Sequence, residues 1–408
     1  MPVPNENFPE LLSIHATNAF GKHNSSPRST MYSAHVSQAL VIRGATEKRI
    51  QTGIEEQIGR FTFAVRMPAS GTIIKRIDRY PAGLDIESIP HNPETLVIYQ
   101  DDATKEFGCF SLTRFCTHHQ YFGYEYKATE AYSRLVPGAF FEKGTVFLDS
   151  PNKSAHGGYK NGIELNIALM SHPATSEDGI LISADVLPRL AFDIEETRVV
   201  EFGNNAFPLN LYGDFIRYQP FPEIGQAIRE DGVLIMLRTY DDSLCPVEHS
   251  IYDVKEPDYM FDKATYVRGA TGIVTDIKIY HDEAELSPTP FGVMTHVNKY
   301  ARALRRYYKE ILETERQLQR DHERKFGDHR IRLKKNFHRL IVEAYAILSE
   351  PIPKDPTKPS TDQIKQKLNK MYRKEQLDDY RIIFTIRYTI TPTIGFKQTD
   401  SHGGRATK

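Results

Sequence analysis

The chain has 408 residues and a net charge of −1, a value that by itself indicates no class of partner. That length suggests two or three domains, and 40% hydrophobic residues, with 22 Phe and 22 Tyr, are enough for packed cores. The sequence contains no apolar run of about 18 residues, so no membrane span is predicted. The start MPVPNENFPELL does not resemble a secretory signal. Three cysteines, an odd number in a long chain, favour a reducing compartment.

The first predicted element is a short helix within SSPRSTMYSAHVSQAL. Ser26 is a suitable N-cap, and Pro27 suits the first helical position because the N–H that it lacks has no partner there. Arg28 could bind a phosphate by combining its guanidinium donors with the N–H groups of the helix start. Gln38, near the same face, could donate a hydrogen bond to a nucleic-acid backbone. For both residues an ordinary surface side chain is at least as compatible with the local pattern.

From about residue 55 to 290 the pattern is mainly β, because short alternating or apolar runs are separated by Gly, Pro, Asn and Asp. The runs are RFTFAVRM, TLVIYQ, ELNIALM, GILISADVL, TRVVEF, VLIMLRTY and TGIVTDIKIY. Between two of them lie the adjacent acids Glu177 and Asp178, which could help to hold a divalent cation or its water shell. The commoner role for such acids is to cap a turn.

Four possible zinc ligands fall within CFSLTRFCTHH: Cys109, Cys116, His118 and His119. The two cysteines are too far apart for the usual paired spacing of structural zinc sites. The segment also alternates like a strand, so the sequence favours a strand here over a metal site.

A helical hairpin is predicted over about 296–348, interrupted at Gly327, because apolar residues recur at helical spacing among many charges. From Lys299 to Arg339 there are 14 basic and 6 acidic residues, a net charge of +8. This charge could face a polyanion, and a solvated helix face explains it equally well. After the proline-rich PIPKDPTKPS, Thr361 and Asp362 could cap a last helix.

The strand-like run RIIFTIRYTI leads into the basic, glycine-rich tail GFKQTDSHGGRATK. Its cations and histidine are Lys397, His402, Arg405 and Lys408. Glycines allow the backbone to approach phosphates closely, and the cations neutralise them. We expect the strand to rejoin the sheet begun by earlier strands, so that the tail returns to residues of the first half and forms part of a shared site.

Taken together, these motifs resemble the β (second-largest) subunit of multisubunit DNA-dependent RNA polymerases. The SPRNT…AM…Q helix of that family is similar to SSPRSTMYSAHVSQAL. Its GD…N…EDS block is similar to FFEKGTVFLDSPNKSAHGGYKNGIELNIALMSHPATSEDGILIS. A strand pair in its flap is similar to RGATGIVTDIKIY. RIIFTIRYTITPTIGFKQTDSHGGRATK is similar to its GDK…RHG segment, with Phe396 in place of the acid. The order of the segments matches the family. The resemblance covers a middle-to-late portion of a β subunit, as in split genes of large bacteriophages.

The resemblance implies a mixed, mainly β fold: part of a double-psi β-barrel with hybrid-binding and wall elements, interrupted by a flap with the helical hairpin. It implies a hybrid-binding region and first barrel part over 1–185, a flap or wall region over 186–380, and a returning strand and basic tail over 381–408. The expected locations are the cytoplasm of an infected host or a virion.

The resemblance also implies roles for individual residues in RNA synthesis. Arg28 would hold the terminal phosphates of the incoming nucleoside triphosphate, and Glu177 and Asp178 would lie near the second Mg²⁺, through water. The backbone of the RNA 3′ end would be held by the remaining residues, which are Gln38, Lys397 and His402 with Arg405 or Lys408.

The expected partners are β′-like subunit fragments, the remaining β fragments, the DNA template, the RNA transcript and nucleoside triphosphates. Mg²⁺ is expected to be bound mainly by the β′-like partner, since no DFDGD motif occurs in this chain, so the chain should be active only when assembled. An alternative function is a non-catalytic nucleic-acid-binding or scaffold protein that uses the basic hairpin.

Overall fold

The computed structural model describes residues 16–61, 64–81, 83, 88–119, 122–154, 156–173, 180–203, 206–239, 255–268, 272–281, 295–327, 329–348 and 380–391. In these ranges the helices are α1 (Ser26–Ser37), α2 (Ile54–Phe61), α3 (Glu130–Ser133), α4 (Thr295–Phe326) and α5 (Lys335–Ile347), with 3-10 turns at Gly21–His23 and Ala184–Leu190. The strands are β1 (Val65–Arg66), β2 (Gly71–Asp78), β3 (Glu94–Asp101), β4 (Phe107–Thr113), β5 (Phe115–His119), β6 (Phe122–Glu125), β7 (Lys127–Ala128), β8 (Phe140–Phe141), β9 (Val146–Asp149), β10 (Phe192–Phe202), β11 (Ala206–Pro208), β12 (Val233–Thr239), β13 (Lys263–Tyr266), β14 (Gly272–Tyr280) and β15 (Tyr380–Ile390).

The fold is mixed and mainly β, as predicted, with a curled sheet like half of a barrel and few helices. The largest sheet has the strand order β14-β15-β10-β6-β5. Three smaller sheets have the orders β4-β3-β2-β8, β1-β9-β7 and β11-β12-β13. No helix in the described ranges has the length and apolar character needed to span a bilayer.

Strand β15 lies inside the largest sheet, since it pairs antiparallel with β10 on one side and β14 on the other. Alternate side chains, Tyr380, Ile382, Phe384, Ile386 and Tyr388, are buried. This period of two is that of a strand with one face on a core. The sheet also contains β5 and β6 from the first third of the chain, so the prediction that the last strand rejoins earlier strands is confirmed.

The predicted helical hairpin is confirmed as α4 and α5. The Tyr308 hydroxyl is 2.9 Å from Glu343 Oε1, and the guanidinium of Arg305 donates to the carbonyl of Ile347, so later residues of α5 meet earlier residues of α4. Gly327 ends α4 with a φ of 77°, a conformation that glycine adopts without steric cost. The predicted helix from Thr361 to Leu377 lies outside the described residues.

Buried polar groups fasten α4 to the β body. Glu223 accepts hydrogen bonds from the Tyr300 hydroxyl at 2.6 Å and from Lys299 Nζ at 3.0 Å. The Nδ1 atom of His296 lies 3.6 Å from the same carboxylate. All of these groups are buried, and a buried carboxylate is tolerated only when paired in this way.

Two apolar segments that the sequence predicts as strands do not form them. ELNIALM (164–170) has no regular secondary structure, and the described part of GILISADVL, from Ile180, is irregular before it passes into the turn Ala184–Leu190. Ile167 is 91% exposed and Ile180 55% exposed. An alternating sequence needs a neighbouring strand before it can form a ladder, and the described part of this chain supplies none beside these segments.

Two smaller differences concern helix boundaries. The N-cap of α1 is Ser25, with an extended backbone, so that Ser26 is already helical and Pro27 takes the second position. The second position also needs no hydrogen-bonded N–H, so proline fits equally well. RFTFAVRM, predicted as one strand, is divided between the end of α2 and the two-residue strand β1.

Candidate functional site

Arg28 lies in the first turn of α1 and is exposed. Among the described residues no carboxylate forms an ion pair with it; the nearest cation along the chain that does so is Arg43, which pairs with Asp193. Ser25 makes no side-chain cap hydrogen bond, so the N–H groups at this helix start are not satisfied by that side chain. The exposed guanidinium and the helix start together offer donors suited to a phosphate.

Gln38 is exposed and caps the other end of α1, where its N–H bonds the carbonyl of His35 at 3.2 Å. Ten residues of helix place Arg28 and Gln38 about 15 Å apart along the axis. The two side chains occupy opposite ends of α1, so they suit two different groups of an extended ligand rather than one phosphate.

The segment after α1, residues 41–49, contacts several distant parts of the chain, and we call it the junction segment. Ile42 forms an isolated bridge with Phe192, and the N–H of Arg43 donates to the carbonyl of Ala191 at 2.8 Å. Gly44 lies so close to Arg189 that an added Cβ would meet its carbonyl oxygen at 2.6 Å. Only glycine fits this close approach of two backbones.

The junction segment also touches the other flank of the loop that carries Glu177 and Asp178. The N–H of Thr46 donates to the carbonyl of Gly162 at 2.9 Å. The Thr46 hydroxyl accepts from the N–H of Glu164 at 3.1 Å, and Glu164 in turn accepts from the N–H of Arg49. Contacts from residues 162–164 and 189–192, ten or more positions on either side of residues 174–179, therefore converge on one short piece of chain.

Arg43 connects the junction segment to the end of β15. Its guanidinium Nη2 donates to Asp193 Oδ1 at 2.8 Å and to Thr389 Oγ1 at 2.9 Å. The Thr389 hydroxyl also lies 2.9 Å from Asp193 Oδ1. Asp193 is 6% exposed, whereas the Arg43 side chain is 50% exposed, so this charge-assisted contact is buried on the carboxylate side and partly screened by water on the guanidinium side.

Helix α1 is tied to the same segment by Lys48, whose Nζ donates to the Tyr32 hydroxyl at 2.9 Å. Tyr32 is also 2.9 Å from the Thr17 hydroxyl. The junction segment thus holds together α1, both flanks of the acidic loop and the end of the strand from which the basic tail departs.

Several predicted site residues lie outside the described residues: Glu177, Asp178, Lys397, His402, Arg405 and Lys408. The described residues next to them along the chain limit how far away they can lie. Lys397 follows the last described residue, Thr391, by six positions, a reach of at most about 20 Å. Asp178 precedes Ile180 by two positions, a reach of about 7 Å.

The metal alternative around Cys109 is not favoured. Cys109 lies in β4, and burial raises the pKa of its thiol to about 12, so it is a protonated core side chain rather than a thiolate ligand. Cys116 follows in β5, as the alternating sequence predicts, and no metal-binding group of side chains occurs among the described residues. The side chains of His118 and His119 lie outside that part.

Sequence reasoning missed Arg43, Asp193 and Thr389. Arg43 binds Asp193 and Thr389, which lie 150 and 346 residues later in the chain. Nothing in the sequence around Arg43 distinguishes it from other surface arginines. The one usable signal was indirect, since a buried strand ahead of a basic tail indicated that the tail must return to the body.

No protein-family model matches this chain, and no curated protein matches it at a significant level.

Proposed function

We propose that this chain is a split β-subunit fragment of a multisubunit DNA-dependent RNA polymerase, similar to those of large bacteriophages. The observation that carries the proposal is the junction segment. It holds the flanks of three motifs that are far apart in sequence and that resemble the polymerase family in order and in residues. The alternative, a non-catalytic scaffold protein, explains the basic hairpin but not the order of these motifs.

In this function the curled sheet is part of a double-psi β-barrel, and the flap interrupts it. The 3′-hydroxyl of the RNA attacks the α-phosphate of the incoming nucleoside triphosphate, and pyrophosphate leaves. Catalysis of such a transfer consists mainly of positioning and charge neutralisation. Mg²⁺, held mainly by the β′-like partner, supplies charge neutralisation at the attacking and leaving oxygens.

Each site residue has one task in that scheme. Arg28 binds the terminal phosphates with its exposed guanidinium at the helix start. Gln38, about 15 Å along α1, donates to the RNA backbone. Lys397, with Arg405 or Lys408 and with His402, holds the backbone beside the growing end, and Glu177 and Asp178 orient water on the second Mg²⁺.

The exposed apolar segments support the need for partners. Ile167 and Leu169 are almost fully exposed, and a monomeric protein seldom leaves such neighbouring residues in water. In the proposed assembly, strands of the remaining β fragments pair with these segments and cover them. The same assembly brings the β′-like chain, with its metal ligands, against the basic tail.

The proposal is tested by recovering the affinity-tagged chain with its natural partners and identifying them by native mass spectrometry. We expect β′-like and further β-like chains and template-dependent RNA synthesis by the recovered complex. A stable chain that is recovered alone, or a complex without RNA synthesis, would contradict the proposal.

A further inference from the structure

Helix α4 carries a straight row of cations on the face opposite to its packed side. The buried face includes Tyr300, Leu304, Tyr308 and Ile311. On the other side, exposed charged residues recur every three or four positions, and we call them the basic stripe. The basic stripe consists of Arg302, Arg306, Lys309, Glu313, Arg316, Arg320 and Arg324.

Six of these seven side chains are cationic, so the excess of positive charge in the hairpin is concentrated on one helix face. At 100° per residue all seven fall within an arc of about 80°, and from Arg302 to Arg324 the stripe is about 33 Å long. Its members follow one another at roughly 5–6 Å, the spacing of i,i+3 and i,i+4 neighbours. The cations form two groups of three, separated by about 10 Å at Glu313. Glu313 is the one acidic member of the stripe; beside the stripe, Glu315 lies close enough to Arg316 to interact with its charge, and Asp321 approaches Arg324 at 3.7 Å.

A groove runs beside the second half of the stripe, between α4 and α5. It has a volume of about 590 Å³, and its lining includes Arg316 and Arg320 from the stripe and Arg330 from the connection between the helices. Tyr345 forms its floor on the α5 side, with the Arg316 guanidinium 6.0 Å from the ring centroid. Glu315 and Glu323 also line it, so the groove itself is polar rather than strongly basic.

We propose that the basic stripe binds the backbone of a single-stranded nucleic acid, with bases turned towards the groove. Two groups of three cations along one helix face suit a polyanion, and arginine suits phosphate especially. The strands of a duplex wind once around the axis in about 34 Å, so a straight stripe of this length would meet each backbone at only one or two crossings. A flexible single strand can follow the whole row.

This surface is separate from the proposed catalytic contacts, and the inference does not rest on the proposed function. Backbone contacts of this kind are independent of sequence and depend strongly on salt. The groove is large enough to admit a base, and the guanidinium planes of its arginines are surfaces on which bases stack. The Tyr345 ring is only 5% exposed, so it supports Arg316 from below rather than offering a stacking surface itself.

The test measures fluorescence anisotropy of a labelled single-stranded RNA of about 12 nucleotides, a length within the site sizes of single-strand-binding proteins. The full chain is compared with the triple variant Arg306→Gln/Lys309→Gln/Arg320→Gln. Glutamine keeps helix propensity at these exposed positions, so the fold should be retained, as circular dichroism checks. The matched control removes three exposed cations elsewhere: Arg134→Gln/Lys143→Gln/Lys263→Gln.

We expect the stripe variant to bind at least 10-fold more weakly than the control variant. Because three phosphate contacts are removed, the slope of log K against log salt should become shallower by about 2 units. A duplex of the same length should bind more weakly than the single strand. Equal affinities and equal slopes for the two variants would overturn the proposal. Tighter binding of the duplex than of the single strand would contradict the proposed preference for single-stranded nucleic acid.

Discussion

Arg43 donates a hydrogen bond to Thr389, which lies 346 residues later in the chain, at 2.9 Å. Both side chains meet the buried carboxylate of Asp193. Through this contact the helix that carries Arg28 and the strand that precedes Lys397 are joined, and the geometry of the proposed site depends on it.

Removing the Arg43 side chain should therefore destabilise the body of the protein. Arg43→Ala leaves the buried Asp193 with a hydroxyl partner and the more distant Arg387, whose guanidinium is 3.9 Å away. Loss of a charged partner for a buried group typically costs about 1–3 kcal/mol of unfolding free energy. Urea denaturation measures the effect, with the exposed Arg60→Ala as the control. Equal denaturation midpoints for the two variants would show that the contact contributes nothing.

The buried cluster around Glu223 should make stability depend on pH. Burial lowers the pKa of His296 to about 4, despite the nearby Glu223 carboxylate. In the unfolded chain the histidine has a pKa near 6.5 and binds a proton below that pH, whereas in the folded chain it stays neutral down to about pH 4. The free energy of unfolding is therefore highest above about pH 6.5 and falls as the pH decreases towards 4. The loss from this histidine approaches roughly 3 kcal/mol at the acid end.

Glu223 contributes in the same direction at lower pH. Burial alone would raise the pKa of its carboxyl, but His296, Tyr300 and Lys299 outweigh burial and lower it. Its stabilising contribution is present above the unfolded pKa and is lost as the pH falls through the folded value. His296→Phe keeps a ring beside Phe221 and should reduce the loss of stability between about pH 6.5 and pH 4.5, to which Glu223 contributes little. An unchanged difference in unfolding free energy between pH 7 and pH 4.5 in this variant would refute the assignment.

The exposed apolar segment should matter for assembly and not for the stability of the chain alone. Ile167→Ser changes a side chain that is 91% exposed, so its unfolding free energy should stay within about 0.5 kcal/mol of the parent. Recovery of the partner chains should fall strongly, because the proposed strand pairing buries this position. The control is Ile216→Ser, at a position 90% exposed in another part of the chain. Equal recovery with both variants would mean that the partners do not cover residue 167.

Substitution of the proposed phosphate contacts should slow RNA synthesis without unfolding the chain. Arg28→Ala or Lys397→Ala should reduce nucleotide addition by about 10²-fold or more in the assembled enzyme, the scale of losing a transition-state charge contact. Single-nucleotide extension of a preformed RNA–DNA hybrid measures it. Near-normal addition by either variant excludes that residue from the site.

The second cation of the tail is assigned by comparing Arg405→Ala with Lys408→Ala. Replacing the one that holds RNA should weaken the retention of short transcripts, and the deficit relative to the parent should become smaller at higher salt, because a variant with one phosphate contact fewer has a shallower salt dependence. Retention of labelled short RNAs by the assembled enzyme is the measurement. Equal and negligible effects of both variants would mean that this part of the tail does not touch RNA.

The sequence predicts best those elements whose pattern is local. The 3.6-residue repeat of α4 and the alternation of β15 are properties of their own segments, and both elements form where the patterns predict them. ELNIALM fails because a strand also needs a partner, and the described part of the chain provides none beside it. The contacts of Arg43 and Glu223 were not predictable, because each depends on groups brought together only by the fold.

The central claim is that Asp178 and Lys397 serve one site although they are far apart in sequence. The most direct test is a cryo-electron microscopy structure of the assembled complex with RNA, template and a nucleoside triphosphate. Because the two metals of such sites are only about 4 Å apart, we expect the two side chains to lie within roughly 15 Å of each other, with Lys397 on the RNA backbone. A separation of several tens of ångströms (on the order of 30 Å or more) in the complete complex would contradict the account, since no single triphosphate and transcript end spans that distance.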